Sequence, residues 1–207
     1  MASALDIVAL GPAEIVALLV AISFAAGLNV YATVATLGLL GRFDAIALPP
    51  ELVFLSSWWV IGVALALVVV EFVADKIPVF DVVWNALHMF IRAPVGALLA
   101  YAAATPLSPG WQLGAAVLGG LIAFAANGAK LAARTAVTAS PEPASNTALS
   151  LVEDAVAIAL TWFATNHPFI AAGIVAVMLV AIVVLMRWVF RAVRALFRGA
   201  RRATATG

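Results

Sequence analysis

The sequence predicts an all-α integral membrane protein of about six transmembrane helices. Three observations carry this. The chain is 66% hydrophobic, with a mean hydropathy of +1.16. Only 10% of its 207 residues are charged, against about 25% in soluble domains. Several uncharged stretches approach the ~20 residues that cross about 30 Å of hydrocarbon as a helix.

Composition also excludes functions. There is no cysteine, which removes disulfides, thiolate catalysis and Cys-based metal sites. The net charge is +1, and no nucleic-acid module is visible. No cofactor-binding signature is present. No Lys or Arg precedes Arg42, so the basic n-region of a cleaved signal peptide is lacking and Met1 to Leu40 should be retained. Residues 1–190 read as one polytopic helical domain and 191–207 as a basic cytoplasmic tail.

The first span runs from about Ala13 to Leu40. It is uncharged over the 27 residues between Glu14 and Arg42. At about 1.5 Å per residue this is too long for an upright crossing. Either the helix tilts, or it breaks at Gly27-Leu28-Asn29. Pro49-Pro50 stops the next loop. The second span covers about Leu52 to Ala74, with Trp58-Trp59 near one interface. It ends in Glu71, Asp75 and Lys76.

The third span is short. Only 13 residues separate Arg92 from Pro106, so the helix must recruit the chain from about Asp81. There Asp81, Asn85, His88 and Arg92 fall at steps of four, three and four, which is one helix face. Pro94 follows and is a candidate kink. The stripe either lines a polar cavity or lies in the headgroups as an interfacial helix.

Thr105 to Gly110 forms a tight loop. The fourth span runs from about Trp111 to Lys130 or Arg134, and a polar linker, Thr138 to Thr147, follows it. Within that linker Ser140-Pro-Glu-Pro143 reads as a stiff turn. The fifth span repeats the problem of the third, because only 11 residues separate Asp154 from Asn166. Its helix should start near Ala148, capped by Ser145 or Asn146. That puts Glu153 and Asp154 in its first two turns, where N-terminal amides favour carboxylates. The sixth span, about Phe169 to Met186, continues into Arg187, Arg191, Arg194, Arg198, Arg201 and Arg202.

The Arg-rich end argues for a cytoplasmic C-terminus. Six spans then place the N-terminus inside as well. The loops holding Lys76, Lys130 and Arg134 become cytoplasmic, and only Arg42 lies outside. Spans two to five thereby bring their charges into one zone of the cytoplasmic half. Six spans also divide into two inverted three-helix halves. Phe24-Ala-Ala-Gly27 and Phe124-Ala-Ala-Asn127 recur in spans one and four, but Ala-rich sequence gives such matches by chance.

Each motif has a bland and a functional reading. Glu71, Asp75 and Lys76 form a solvated helix end with local pairing, or a cation or proton site. His88 near carboxylates titrates near neutral pH and is a possible metal ligand. Lys130 and Arg134 are ordinary positive-inside anchors, or they meet an anionic group. Glu153 and Asp154, being adjacent, point about 100° apart and serve different partners. Asn29, with Tyr31 and Thr33, is interhelical glue or lines a path at a helix break. Arg187, Arg191, Arg194 and Arg198 suit anionic lipid headgroups.

The ordered motifs Gly27-Leu-Asn-Val-Tyr31, Glu71-Phe-Val-Ala-Asp-Lys-Ile-Pro78, His88-Met-Phe-Ile-Arg92 with Pro94 and Gly96, Ser140-Pro-Glu-Pro143, Ser145-Asn146 and Glu153-Asp154 resemble the DUF4126 family of integral membrane proteins. The resemblance covers about residues 25 to 155. Asn85 stands where the family pattern suggests an acid, and Thr138 where it suggests Asn. The resemblance implies a membrane protein and no activity.

Function is left with three classes. The first is a small transporter or channel-like protein for an ion or small anionic solute, with Asn29, Glu71, Asp75, Lys76, Asp81, Asn85, His88, Arg92, Lys130, Arg134, Glu153 and Asp154 as binding residues. The second is a non-transporting scaffold whose charges dock a partner. The third and least favoured is a metal-dependent enzyme acting on lipid phosphate, although no HExxH or Ser-His-Asp signature is present. Partners are the lipid bilayer, its anionic headgroups, and an ion or small solute, with homo-oligomers also allowed.

Overall fold

The computed structural model describes residues 5–6, 10–138 and 143–205. They form α1 (Pro12–Leu28), α2 (Val30–Arg42), α3 (Trp58–Ala74), α4 (Pro78–Ala103), α5 (Pro109–Thr138), α6 (Pro143–Asn166) and α7 (Pro168–Ala205). A two-stranded parallel ladder, β1 (Leu5–Asp6) on β2 (Ile46–Ala47), ties the N-terminal segment to the loop after α2.

α1 is the central helix. It packs on α4, α5, α6 and α7. Ile15, Leu18, Ala21, Phe24, Ala25 and Ala26 are all fully buried. A helix apolar all round is a core helix, and the sequence of α1 carries no polar stripe that would demand solvent. Close approach is set by small residues. A Cβ on Gly27 would stand 2.4 Å from the Ala123 carbonyl oxygen, and one on Gly119 would stand 2.4 Å from the Ala100 Cβ. Such small-residue seams let backbones meet in membranes, where no hydrophobic force separates helix from lipid.

Large apolar side chains cover the outside. Trp59, Val69, Phe90, Leu121, Val177 and Trp188 are among the exposed residues, as a lipid-facing surface requires. α3 leans on α2 and barely touches α4.

Four helical stretches among the described residues are long and apolar enough to cross a membrane: Val83–Ala103, Pro109–Arg134, Thr147–Asn166 and Pro168–Leu185. A 3-10 helix, Pro50–Ser56, joins α3 at a bend of 67° and makes a fifth when the two are counted together. Six were expected, and the difference lies in the first segment. The chain breaks at Asn29, which is extended at φ −146° and ψ 103°. The pieces on either side have 17 and 13 residues. At about 1.5 Å per residue neither crosses alone. The overlong uncharged run is therefore resolved by a break.

Two further boundaries differ from expectation. α6 starts at Pro143, since proline suits the first turn of a helix. Ser145 and Asn146 therefore lie inside that turn instead of capping it. Glu153 sits ten residues into the helix, beyond the reach of N-terminal amides. Pro94 lies inside α4 without ending it. The turn residues Ser140 to Glu142 lie outside the described residues. α7 continues unbroken from its apolar stretch into the Arg-rich segment.

Candidate functional site

The break at Asn29 organises the site. The Asn29 side-chain oxygen accepts from the Ala32 amide at 2.9 Å, which caps α2. Its side-chain nitrogen donates to Asp154 Oδ1 at 2.7 Å. Thr33 Oγ1 donates to the Asn29 carbonyl. In an unbroken helix the Ala32 amide would serve the Leu28 carbonyl. That carbonyl is instead met by the Lys130 ammonium at 3.1 Å.

Lys130 belongs to a ladder of buried charges. Arg92 pairs with Glu71. Glu71 Oε1 also accepts from Lys130 at 2.7 Å. Lys130 reaches Glu153 Oε2 at 3.3 Å. Glu153 is held by Arg134 at 2.5 Å, and Arg134 reaches Asp75 Oδ2 at 2.7 Å. The order Arg92, Glu71, Lys130, Glu153, Arg134, Asp75 alternates in sign at every step. Each of the six is buried.

Helix spacing builds this alternation. Glu71 of α3 and Asp75, which caps the end of that helix, are one turn apart, as are Lys130 and Arg134 on α5. Residues four apart share a helix face. Two rungs thus form between α3 and α5, and Glu153 of α6 bridges their cations. Neutral polar groups close both ends. Arg92 donates to Asn85 Oδ1 at 3.0 Å and to Asn127. Ser150 donates to Asp75 at 2.7 Å and accepts from Arg134 at 2.9 Å. Glu71 Oε2 and Arg92 Nε are among the buried polar atoms with no hydrogen-bond partner.

His88 stands beside the ladder. Its Nδ1 lies 2.7 Å from the Trp84 carbonyl, and its Nε2 lies 2.9 Å from the Tyr31 hydroxyl. A carbonyl only accepts, so Nδ1 carries a proton; the Nε2 of the neutral ring then accepts from Tyr31. The carboxylate partner expected for His88 is replaced by a phenol. Among the described residues no group of three or more His, Cys, Asp or Glu side chains is arranged to hold a metal.

The structure thus brings together Asn29, Glu71, Asp75, Asn85, His88, Arg92, Lys130, Arg134, Glu153 and Asp154. It leaves out Lys76, whose side chain is exposed with its ammonium 4.1 Å from the centre of the Phe72 ring. The local pairing of Lys76 with Glu71 and Asp75 gives way to longer-range partners. Asp81 lies in the first turns of α4, and its side chain falls outside the described residues. Arg187, Arg191 and Arg194 are exposed, and the Arg198 side chain is not described.

The sequence reading missed Asn127 and Ser150 as members of the site. Asn127 shares the face of Lys130 and Arg134 at steps of three and four, and that spacing was the available signal. Ser150, one turn before Glu153, carried the same signal more weakly. The polar stripe of α4 was expected either to line a cavity or to lie in the headgroups; its described side chains are buried, with Arg92 on Glu71, Asn127 and Asn85, and His88 on Tyr31 and the Trp84 carbonyl. A groove of about 380 Å³ lies between α2, α3 and α4, lined by Tyr31, Trp59, Val63 and Ile91 among others. It is apolar.

Most side chains of the ladder come from the motifs quoted above. Comparison with curated proteins and with solved structures gave no match. The family model of DUF4126, described as a domain of unknown function, matches residues 16–188, and the chain belongs to that family.

Proposed function

We propose that this protein is a small transporter or channel-like protein of the cell (inner) membrane, moving an ion or small anionic solute past its mixed-charge site. The observation that carries the reading is the alternating chain of six buried charges set against a broken helix. A buried ion network is weak evidence for stability, because well-packed apolar residues of similar volume do as well or better. Ionisable groups inside a membrane bundle are functional-site candidates by default. Discontinuous helices offer end carbonyls to cations in known transporter architectures. In this reading Glu71, Asp75, Glu153 and Asp154 hold a cation or proton. Arg92, Lys130 and Arg134 neutralise them or meet an anionic group of the solute.

Counting α1 and α2 as one broken crossing gives six. Both termini then lie on the cytoplasmic side, consistent with the Arg-rich end of α7. Arg187, Arg191 and Arg194 would rest on anionic headgroups. The same count allows two inverted three-helix halves, although α5 runs unbroken through Ala129, the position that matches the break at Asn29. A docking face for a partner protein would need the charges at the surface, and six of them are buried.

The test is reconstitution in liposomes with sodium, rubidium, protons and small organic anions as candidate solutes. Uptake above protein-free liposomes is expected, and Glu153→Gln should abolish it. Absence of flux for every solute, or wild-type flux in Glu153→Gln, refutes the reading.

A further inference from the structure

We propose that the oxygen cage filled by the Lys130 ammonium is a monovalent-cation site, in which a free alkali ion such as potassium takes the place of the ammonium. The cage is built from three elements. Leu28 at the end of α1 contributes its carbonyl at 3.1 Å, Glu71 of α3 its Oε1 at 2.7 Å, and Glu153 of α6 its Oε2 at 3.3 Å. Lys130 enters from a fourth, α5, on a flexible stem.

Three features make this a cation site rather than a lysine's resting place alone. First, the Leu28 carbonyl is available only because Asn29 takes the Ala32 amide for itself. The helix break thus presents a bare backbone oxygen, with its partial negative charge, to a positive ion. Second, the cage holds more oxygen than an ammonium uses. A lysine has three donors; two are taken by the Leu28 carbonyl and Glu71 Oε1, and Glu153 Oε2 stands at ion-pair distance. Glu71 Oε2, on the same carboxylate, is buried with no hydrogen-bond partner. A spherical ion is not limited to three directions and can take that fourth oxygen. Ammonium and potassium ions are similar in radius, so the exchange asks for little rearrangement.

Third, the charge is matched. With Lys130 in place the ladder of six is neutral. With Lys130 withdrawn, Arg92 and Arg134 face Glu71, Glu153 and Asp75, and one positive charge is missing. A monovalent ion restores the neutrality of the six. The buried carboxylates would otherwise carry an uncompensated charge at high cost.

This deepens the transport reading by naming a substrate class, and binding can be measured without flux. Lys130→Ala and Lys130→Met are purified in detergent with either rubidium or choline as the sole added monovalent cation. Radioactive rubidium binding is then measured at equilibrium, alongside the unfolding midpoint. One rubidium per chain is expected in the variants, at least tenfold tighter than in the wild type. Rubidium, unlike choline, should raise their midpoints by mass action. Adding Glu71→Gln to Lys130→Ala should weaken binding tenfold or more.

A variant that folds in rubidium and not in choline supports the site. Folded protein in neither salt overturns it. So does the absence of saturable binding in both variants, or binding by the wild type as tight as theirs. If the variants bind rubidium while the wild type moves no solute in liposomes, the transport reading fails and the site stands.

Discussion

Arg134→Met tests whether the ladder is coupled as its geometry implies. Arg134 is fully buried. Its Nη2 reaches Asp75 Oδ2, Glu153 Oε2 and Ser150 Oγ within 2.9 Å. Methionine keeps much of the apolar stem and removes the guanidinium. Breaking a buried pair by removing one partner costs about 3–5 kcal/mol. Here the lower end applies, because neither acid is left bare. Asp75 keeps the Ser150 hydroxyl and Glu153 keeps Lys130. A loss of about 3 kcal/mol is expected, roughly 150-fold in the folding equilibrium.

The second half of the test is compensation. Asp75→Asn in the Arg134→Met background returns the ladder to neutrality, leaving Arg92, Glu71, Lys130 and Glu153. It should recover about half of the loss, although groups in one network couple by anything from ~0.5 to 3 kcal/mol. Reversible unfolding in bicelles titrated with SDS, followed by tryptophan fluorescence, gives all four corners of the cycle. Arg134→Met within about 0.5 kcal/mol of wild type, the scatter of ordinary surface changes, would refute the coupling. Additive single effects would refute it equally.

Two further outcomes follow from the packing and from the break. Gly27→Val places a side chain against the Ala123 backbone and the Ala126 Cβ, and should lower stability by about 1–3 kcal/mol; Gly62→Ala, with open space around it, should instead leave the thermal midpoint unchanged or raise it. Asn29→Ser keeps a cap for α2 and loses the bond to Asp154, while Asn29→Ala loses both. The second should therefore be less stable than the first by about 1 kcal/mol in the same SDS titration, and equal stabilities would deny Asn29 its capping role.

Much of the fold was legible because charge is scarce in this chain. With so few ionisable residues, an uncharged run reads directly as a crossing, and a run too short to cross reports a polar residue drawn inward. That logic found the inward stripe of α4 and the charged stretch of α6. It also flagged the run around Gly27 to Asn29 as too long. What length alone left open was whether the helix tilts or breaks. The Asn29 side chain decides this, since it both caps α2 and reaches Asp154.

The partners were less legible than the place. Sequence proximity suggests that Lys76 pairs with Glu71 and Asp75. Helix geometry turns Lys76 away, toward Phe72, while the two acids share a face with each other and meet α5. Asn85 departs from the acid that the family pattern suggests, yet it stays in the site by accepting from Arg92. Asn127 and Ser150 were hidden because a single neutral polar residue in an Ala-rich helix carries no signal by itself. Pro143 hid the start of α6, since a proline closing a turn and one opening a helix look alike in sequence.

The alternation of sign is the property that joins fold to chemistry. Neither helix pair produces it alone. α3 offers only acids and α5 only bases at this level, so their contact gives two isolated rungs. Glu153 links the rungs by touching both Lys130 and Arg134. Any change in one ion pair therefore alters the field felt by the next, at distances where burial leaves little screening. Lys130 occupies the middle of that chain and also touches the broken helix. Displacing its ammonium would unbalance Glu71 and Glu153 together and free the Leu28 carbonyl in the same step. A single charge at this position thereby couples α1, α3, α5 and α6.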